Sequence, residues 1–426
     1  MNMQSFNDNQ SPGNLPPLLP ATGILPSNPA KKPGFLRNVI AGLLSLCLIL
    51  FLADAVVSLA DDSLCLLFGM NLLTTIRGLV FLFASLLAIL VYVLMGLTPM
   101  IPKRQFLPLT LFGLAAQLAL LPCLIYCYGR LQFAVWCISL CQVILGLWIL
   151  YSFQGGLRFR WPMVAEDRLG VSRFGWLNLI SFLLLNVFVF LPSLVVYLGL
   201  CTSLAVGHFS DGFLALKTDG LTVQVRKYVR ADGKTIELVP MAHIGDAAFY
   251  KKITKSFPTN SLVLMEGVSD NNNLLTNKIT YKKMAAALGL AEQHEEFKPS
   301  PIQMVRADVD VEQFSKNTIG ILNMVILIHA RGLNAETVQT LMQFSPTPEV
   351  QTQLFDDLLT MRNQHLAGEI HDRLTESEML IVPWGAAHMP GISKAIEKTG
   401  FRLNETQDYM IIRFPSIGNQ IKVAKP

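Results

Sequence analysis

Two stretches decide the fold: Ile236-Glu237-Leu238-Val239-Pro240-Met241-Ala242-His243-Ile244-Gly245-Asp246 and Leu380-Ile381-Val382-Pro383-Trp384-Gly385-Ala386-Ala387-His388-Met389-Pro390-Gly391. Each is a short apolar run that passes into Ala-His, then a large apolar residue, a turn and the start of a helix. Asp246 is placed to cap the first of these helices. A third run, Leu262-Val263-Leu264-Met265, ends at Glu266-Gly267. Short apolar runs bounded by turn signals read as buried strands, and repeated strand-then-helix steps argue for an α/β domain. Ligands of open α/β sheets bind beyond the carboxyl ends of the strands. His243, His388 and Glu266 are therefore expected to converge there, with Gly245, Gly267, Gly385 and the neighbouring alanines leaving room for close approach. Two imidazoles and a carboxylate suit either a first-row metal that activates water or a metal-free acid–base pair.

The rest of this polar half fits the same class. Further strands are expected at Phe213–Lys217, Leu221–Val229 and Asp408–Phe414, and helices at 246–256, 280–290, 311–330, 335–343, 349–374 and 391–399. Two basic residues are added to the candidate site. Arg306, in Val305-Arg306-Ala307-Asp308-Val309-Asp310, reads either as half of a structural ion pair or as a partner for a site carboxylate or an anionic substrate, and Asp310 is placed to cap the next helix. Arg362, in Met361-Arg362-Asn363-Gln364, interrupts an apolar helical periodicity and has two readings, an electrostatic clamp at the site and a surface salt bridge.

Upstream, the composition changes. Of 426 residues 52% are hydrophobic and only 15% charged, against about 25% charged in soluble globular proteins. Between Asn38 and Phe153 the charged residues are Asp54, Asp61, Asp62, Arg77, Lys103, Arg104 and Arg130. Five apolar runs, at 38–60, 78–98, 106–128, 131–153 and 175–206, reach the ~20 residues a membrane span requires. The chain is thus expected to comprise a disordered Pro-rich cytoplasmic tail (1–35), a multi-pass transmembrane domain (36–206) and an α/β domain (207–426). Lys31, Lys32, Arg37, Lys103, Arg104, Arg158, Arg160, Arg168 and Arg173 fall on one side of the spans, and only Arg77 and Arg130 on the other. The positive-inside rule puts the first set, and the N-terminus, in the cytoplasm. Five spans then leave the C-terminal domain extracytoplasmic. Asp54 is the one ionisable residue well inside a span, and Asn178 and Asn186 are expected to hydrogen-bond between helices.

Several classes drop out. A net charge of +4 is too mild to argue for nucleic acid. All seven cysteines lie at or before Cys201, so the polar half holds neither a disulfide nor a thiolate metal site. No HExxH, GxSxG, Walker A or dinucleotide fingerprint is present. Oligomeric state is not legible.

The residues quoted resemble the TraB/TIKI-like superfamily over about Glu237–Phe401. Gly385-Ala386-Ala387-His388-Met389-Pro390-Gly391 is similar to the second of its two Gly-x-x-His motifs, Met265-Glu266-Gly267-Val268 to its Glu segment, and Met361-Arg362-Asn363 to its Arg segment. Arg306-Ala307-Asp308 resembles a stretch of some bacterial members. The first motif departs from the pattern, with Pro240 where the family has Gly. The TIKI branch of the resemblance implies a metal-dependent peptidase acting outside the membrane. The TraB branch implies shutdown of a peptide pheromone by degradation or sequestration, and ChaN-type relatives bind haem. Joined to the apolar half, the expectation is a membrane-anchored extracytoplasmic hydrolase, a metal-dependent peptidase acting on a peptide or protein. On that reading His243, Glu266 and His388 hold manganese, cobalt or zinc, and Arg362 and Arg306 stabilise negative charge. Two other classes stand beside it: a non-enzymatic module that captures a peptide or cofactor at the lipid bilayer, and a signalling or transport protein whose polar domain senses.

Overall fold

The computed structural model describes residues 34–170, 174–276, 281–299, 301–331, 339 and 347–415. The N-terminal tail, Arg173 and almost all of the helix expected at 335–343 lie outside the described residues. Five helices are long and apolar enough to cross a membrane: α1 (Phe35–Phe68), α2 (Thr74–Leu97), α3 (Lys103–Tyr126), α4 (Leu131–Gln154, entered through a short turn at Tyr128–Arg130) and α5 (Trp176–Phe209). They occur where the five apolar runs are expected, with one notable extension. α1 continues past residue 60 because its acidic end is provided for: Ser139 donates to Asp62 Oδ2 at 2.5 Å and Trp136 Nε1 to Ser63 Oγ at 3.0 Å. In α5, five residues (Asn186–Phe190) form a π turn just before Pro192, which supplies no N–H to the helix.

Two compact units are distinguished. The first holds the described residues up to Val57, with Leu73–Leu111 and Cys141–Leu179. Its polar groups meet inside it: Gln142 Nε2 donates to the buried Asp54 Oδ2 at 2.7 Å, and Asn178 Nδ2 to the carbonyls of Met95 and Gly96 at 3.0 and 2.6 Å. Asn178 thus ties helices together as expected. Asn186 instead donates to Phe182 O of its own helix at 2.8 Å.

The second unit, Ser58–Leu72, Phe112–Leu140 and Ile180 onward, contains the α/β region. Its strands are β1 (Leu214–Lys217), β2 (Gly220–Val229), β3 (Thr235–Met241), β4 (Leu262–Met265), β5 (Gln303–Arg306), β6 (Met379–Gly385) and β7 (Arg402–Arg413). They form one mixed sheet in the order β1–β2–β3–β6–β4–β5, with β7 antiparallel along the whole of β2. β3, β6, β4 and β5 are mutually parallel, so their carboxyl ends share one edge. Strand alternation sends Leu238, Leu262, Leu264, Leu380 and Val382 to one face, and Val239, Val263 and Ile381 to the other. Both faces are covered, which is why these strands read as nearly unbroken apolar runs. On the first face lie Leu366 and Ile370 of α10 (Arg362–Arg373) and Ile392 and Ile396 of α11 (Met389–Lys398). On the second lie Phe249, Tyr250 and Ile253 of α6 (Ala247–Ser256). Two short helices, α7 (Lys282–Leu288) and α9 (Pro348–Phe355), and the longer α8 (Lys316–Arg331) complete the region. A π turn, Asp356–Met361, joins α9 directly to α10.

Candidate functional site

The four parallel strands deliver one polar residue each to the same edge. Two residues past β3 is His243; β4 is followed by Glu266; β5 by Asp308, two residues on; β6 by His388, three residues on. The π turn ahead of α10 then presents Arg362 and Asn363 to this edge.

Arg362 is the hub. Its Nε donates to Asp308 Oδ1 at 3.0 Å and Nη2 to Asp308 Oδ2 at 2.6 Å, a bidentate pair. Nη2 also donates to Glu266 Oε1 at 2.9 Å, while Nη1 faces His388 Nε2 at 3.2 Å and Leu358 O at 3.4 Å. Burial opposes its charge. The hydrogen bonds and charge of Asp308, then those of Glu266, outweigh burial and hold its pKa above the usual arginine value. Asp308, with a fully buried side chain, also accepts from the Gly267 and Val309 N–H groups, both at 2.9 Å.

Glu266 Oε2 accepts the Gly385 N–H at 2.5 Å, and this explains the glycine. A Cβ at 385 would stand 3.3 Å from Glu266 Oε2 and 3.6 Å from His388 Cδ2. His388 is buried; Nδ1 meets Asn363 Oδ1 at 2.8 Å, and Nε2 lies 3.5 Å from Glu266 Oε1. Its ring meets Trp384 edge-on, and the Trp384 indole in turn donates to Leu264 O at 3.0 Å. Burial first, and the charge of Arg362 second, push the His388 pKa below its usual 6.5, against the opposing pull of Glu266 and Asp308.

The second histidine sits differently, although its local sequence context is the same. Past β3, Ile244–Gly245 pairs with Ala291–Glu292, and Gln293 N donates to His243 O at 2.9 Å. This draws His243 into an exposed position, stacked on Tyr281 with ring centroids 5.0 Å apart. His243, Glu266 and Arg362 line a common cleft of about 450 Å³. Its walls include Phe297, Phe314, Leu322, Ile326 and Leu358, and no Ser, Thr, Cys or Lys is among the described residues that line it.

The structure thus brings Glu266, His388 and Arg362 into one hydrogen-bonded cluster, and sets His243 on the cleft wall. The ligand atoms of His243, Glu266 and His388 do not come together closely enough to form a shared ion site. Where Glu266 and His388 face each other, Arg362 already occupies the facing atoms, so these three residues as arranged do not fit one metal. Among the described residues such a grouping occurs at Glu292, His294 and Glu295, where Glu295 is exposed and paired with Lys282. Arg306 ends β5 exposed and forms no side-chain ion pair or hydrogen bond among the described residues; the cluster's acid from this segment is Asp308. Asp246 stands at the start of α6, but its carboxylate accepts Arg413 N at 3.1 Å instead of capping the helix. Asp310 caps the short turn Val311–Gln313, not α8.

Sequence reasoning passed over Asp308 and Asn363. Asp308 was hidden because β5, Gln303-Met304-Val305-Arg306, is a half-polar edge strand without an apolar run. No known family model, curated protein or solved structure matches the chain.

Proposed function

We propose that the α/β region is a hydrolase domain, peptidase-like in substrate, held at the outer surface of a membrane by the five apolar helices. One observation carries this reading: Glu266 is gripped from two directions, by Gly385 N–H and by Arg362, yet lines a largely apolar cleft that it shares with the exposed imidazole of His243. A carboxylate fixed in this way is suited to take a proton from a water molecule as its oxygen adds to a carbonyl carbon. As the C–N bond breaks, the departing nitrogen takes a proton from His243. The lining offers no serine or threonine hydroxyl and no thiol among its described residues, and the phenol of Tyr281 is stacked on His243, which favours direct attack by water. The apolar walls suit a peptide or protein segment with large apolar side chains. The motif resemblance of Met265–Val268, Met361–Asn363 and Gly385–Gly391 to TraB/TIKI-like proteins supports the same class.

Because Arg362 engages Glu266 and His388 together, the reading assigns the chemistry to acid–base groups and not to manganese, cobalt or zinc. The full chain in lipid nanodiscs is incubated with pooled apolar peptides, and products are followed by mass spectrometry. Cleavage is expected in the wild type, unchanged by EDTA, and reduced about 10²-fold or more by His243→Ala and by Glu266→Gln. Equal cleavage by the variants overturns the site assignment; loss of cleavage with EDTA overturns the metal-free chemistry. Peptide retained stoichiometrically without product supports the second reading, a capture module, which the apolar and nucleophile-poor lining also favours.

A further inference from the structure

Arginine carries five N–H donors and no acceptor. In Arg362 all five are committed: one from Nε and one from Nη2 to Asp308, one from Nη2 to Glu266, and two from Nη1 to His388 and Leu358 O. Arg362 therefore has no hydrogen left for a substrate oxygen in this arrangement. The transition-state clamp expected from the sequence is instead an organiser of its neighbours.

What it organises is the protonation state of His388. Nη1 can only donate, so His388 Nε2 must present a lone pair. The Asn363 Oδ1 can only accept, so His388 Nδ1 must carry the hydrogen. Two adjacent residues of one helix thus impose the same single form from opposite sides of the ring. The grip on Arg362 comes from Asp308, whose buried side chain is itself fixed by Gly267 N–H and Val309 N–H. Asn363 is fixed in turn by close packing on Gly391, where a Cβ would collide with its Nδ2.

We propose that Asp308 and Asn363 are positioning residues: acting through Arg362 and directly, they hold His388 as the neutral imidazole protonated on Nδ1 and keep Glu266 aimed into the cleft. His388 is then an anchor, and His243 is the histidine that carries protons. The consequence for turnover rests on the hydrolase reading above, whereas the state of the ring does not.

The test reads the ring directly, by ¹⁵N NMR of the full chain in nanodiscs with ¹⁵N-histidine, the His388 signal being assigned by its loss in His388→Gln. Wild type is expected to show a protonated Nδ1 and bare Nε2 between pH 6 and 8. Asn363→Ala is expected to give a mixture of the two neutral tautomers. Asn363→Asp keeps the acceptor and restores the Nδ1–H form, now with His388 titrating at higher pH. Asp308→Asn, which places an amide N–H against Arg362, is expected to release Nε2 and mix the tautomers as well. If a peptide substrate is in hand, kcat falls about ten- to a hundredfold in Asn363→Ala and Asp308→Asn, with recovery in Asn363→Asp and little change in KM. A wild-type His388 that titrates near 6.5 or is protonated on Nε2 overturns the proposal. So does folded Asn363→Ala with an unchanged tautomer, whether or not Asp308→Asn folds. Absence of turnover with the expected NMR pattern overturns the hydrolase reading alone.

Discussion

Gly391 shows how a residue without a side chain governs one that has chemistry. A Cβ there meets the Asn363 Nδ2, the far side of the amide that receives His388 Nδ1. Gly391→Ala is expected to destabilise the protein by about 1–3 kcal/mol, the usual cost of overpacking a filled site, in a urea unfolding series. Asn363→Ala in the same chain removes the obstacle, so the double variant should be more stable than the two single losses added together. His388 makes a second prediction at this scale. The groups that face it are Arg362, Glu266, Asp308, Asn363 and Trp384. Its folded pKa lies below the usual 6.5, so below that pH the unfolded chain binds more protons than the folded one. The stability it contributes is fully present above 6.5 and is lost as pH falls through the folded value. The thermal midpoint should fall on acidification from pH 7.5 to 5.5, and fall less in His388→Gln.

The elements explain why part of the site was legible and part was not. β3, β4 and β6 are covered on both faces, so their apolar runs stand out and the polar residues that end them are conspicuous; His243, Glu266 and His388 follow from that contrast. The divergence of the two histidines does not. It depends on the pairing of Ile244–Gly245 with Ala291–Glu292, a contact across nearly fifty residues that turns His243 toward Tyr281. Likewise Leu354, Leu358, Leu366 and Ile370 announce one long helix at 349–374, but periodicity carries no notice of the extra residue at Asp356–Met361. That π turn decides which side chains reach His388, as π turns often do at functional sites. Deleting Thr360 should convert it to an α-turn and rotate Arg362 by about 100° away from Asp308. The expected result is unchanged helix content by circular dichroism, with peptide turnover or retention lost. Retained function in a folded deletion variant would show that the register at this point is immaterial.

At the scale of the whole molecule the open question is which side of the membrane receives the cleft. Five helices are long and apolar enough to cross a bilayer, and the basic residues at their ends and between them are unevenly shared: Lys103, Arg104, Arg158, Arg160 and Arg168 against Arg77 and Arg130. The proposed orientation, with every one of the five helices crossing, has the 155–175 connection in the cytoplasm and, one span later, the α/β region outside. All seven cysteines are free thiols and none lies beyond Cys201, so replacing them with serine or alanine leaves the α/β region untouched. In that background Arg158→Cys and Lys394→Cys report the two sides, since both positions are exposed. A membrane-impermeant maleimide added to intact cells should label the cysteine at 394 and spare the one at 158 until the membrane is permeabilised. The opposite pattern would place the cleft in the cytoplasm and direct the search for substrates to cytoplasmic peptides. Labelling at both positions would mean that one of the five apolar helices does not cross. The prediction is sharp because an orientation set by charge is reversible by charge: moving basic residues from the 155–170 segment to the Gly69–Leu73 connection should weaken or invert the bias, and the labelling pattern with it.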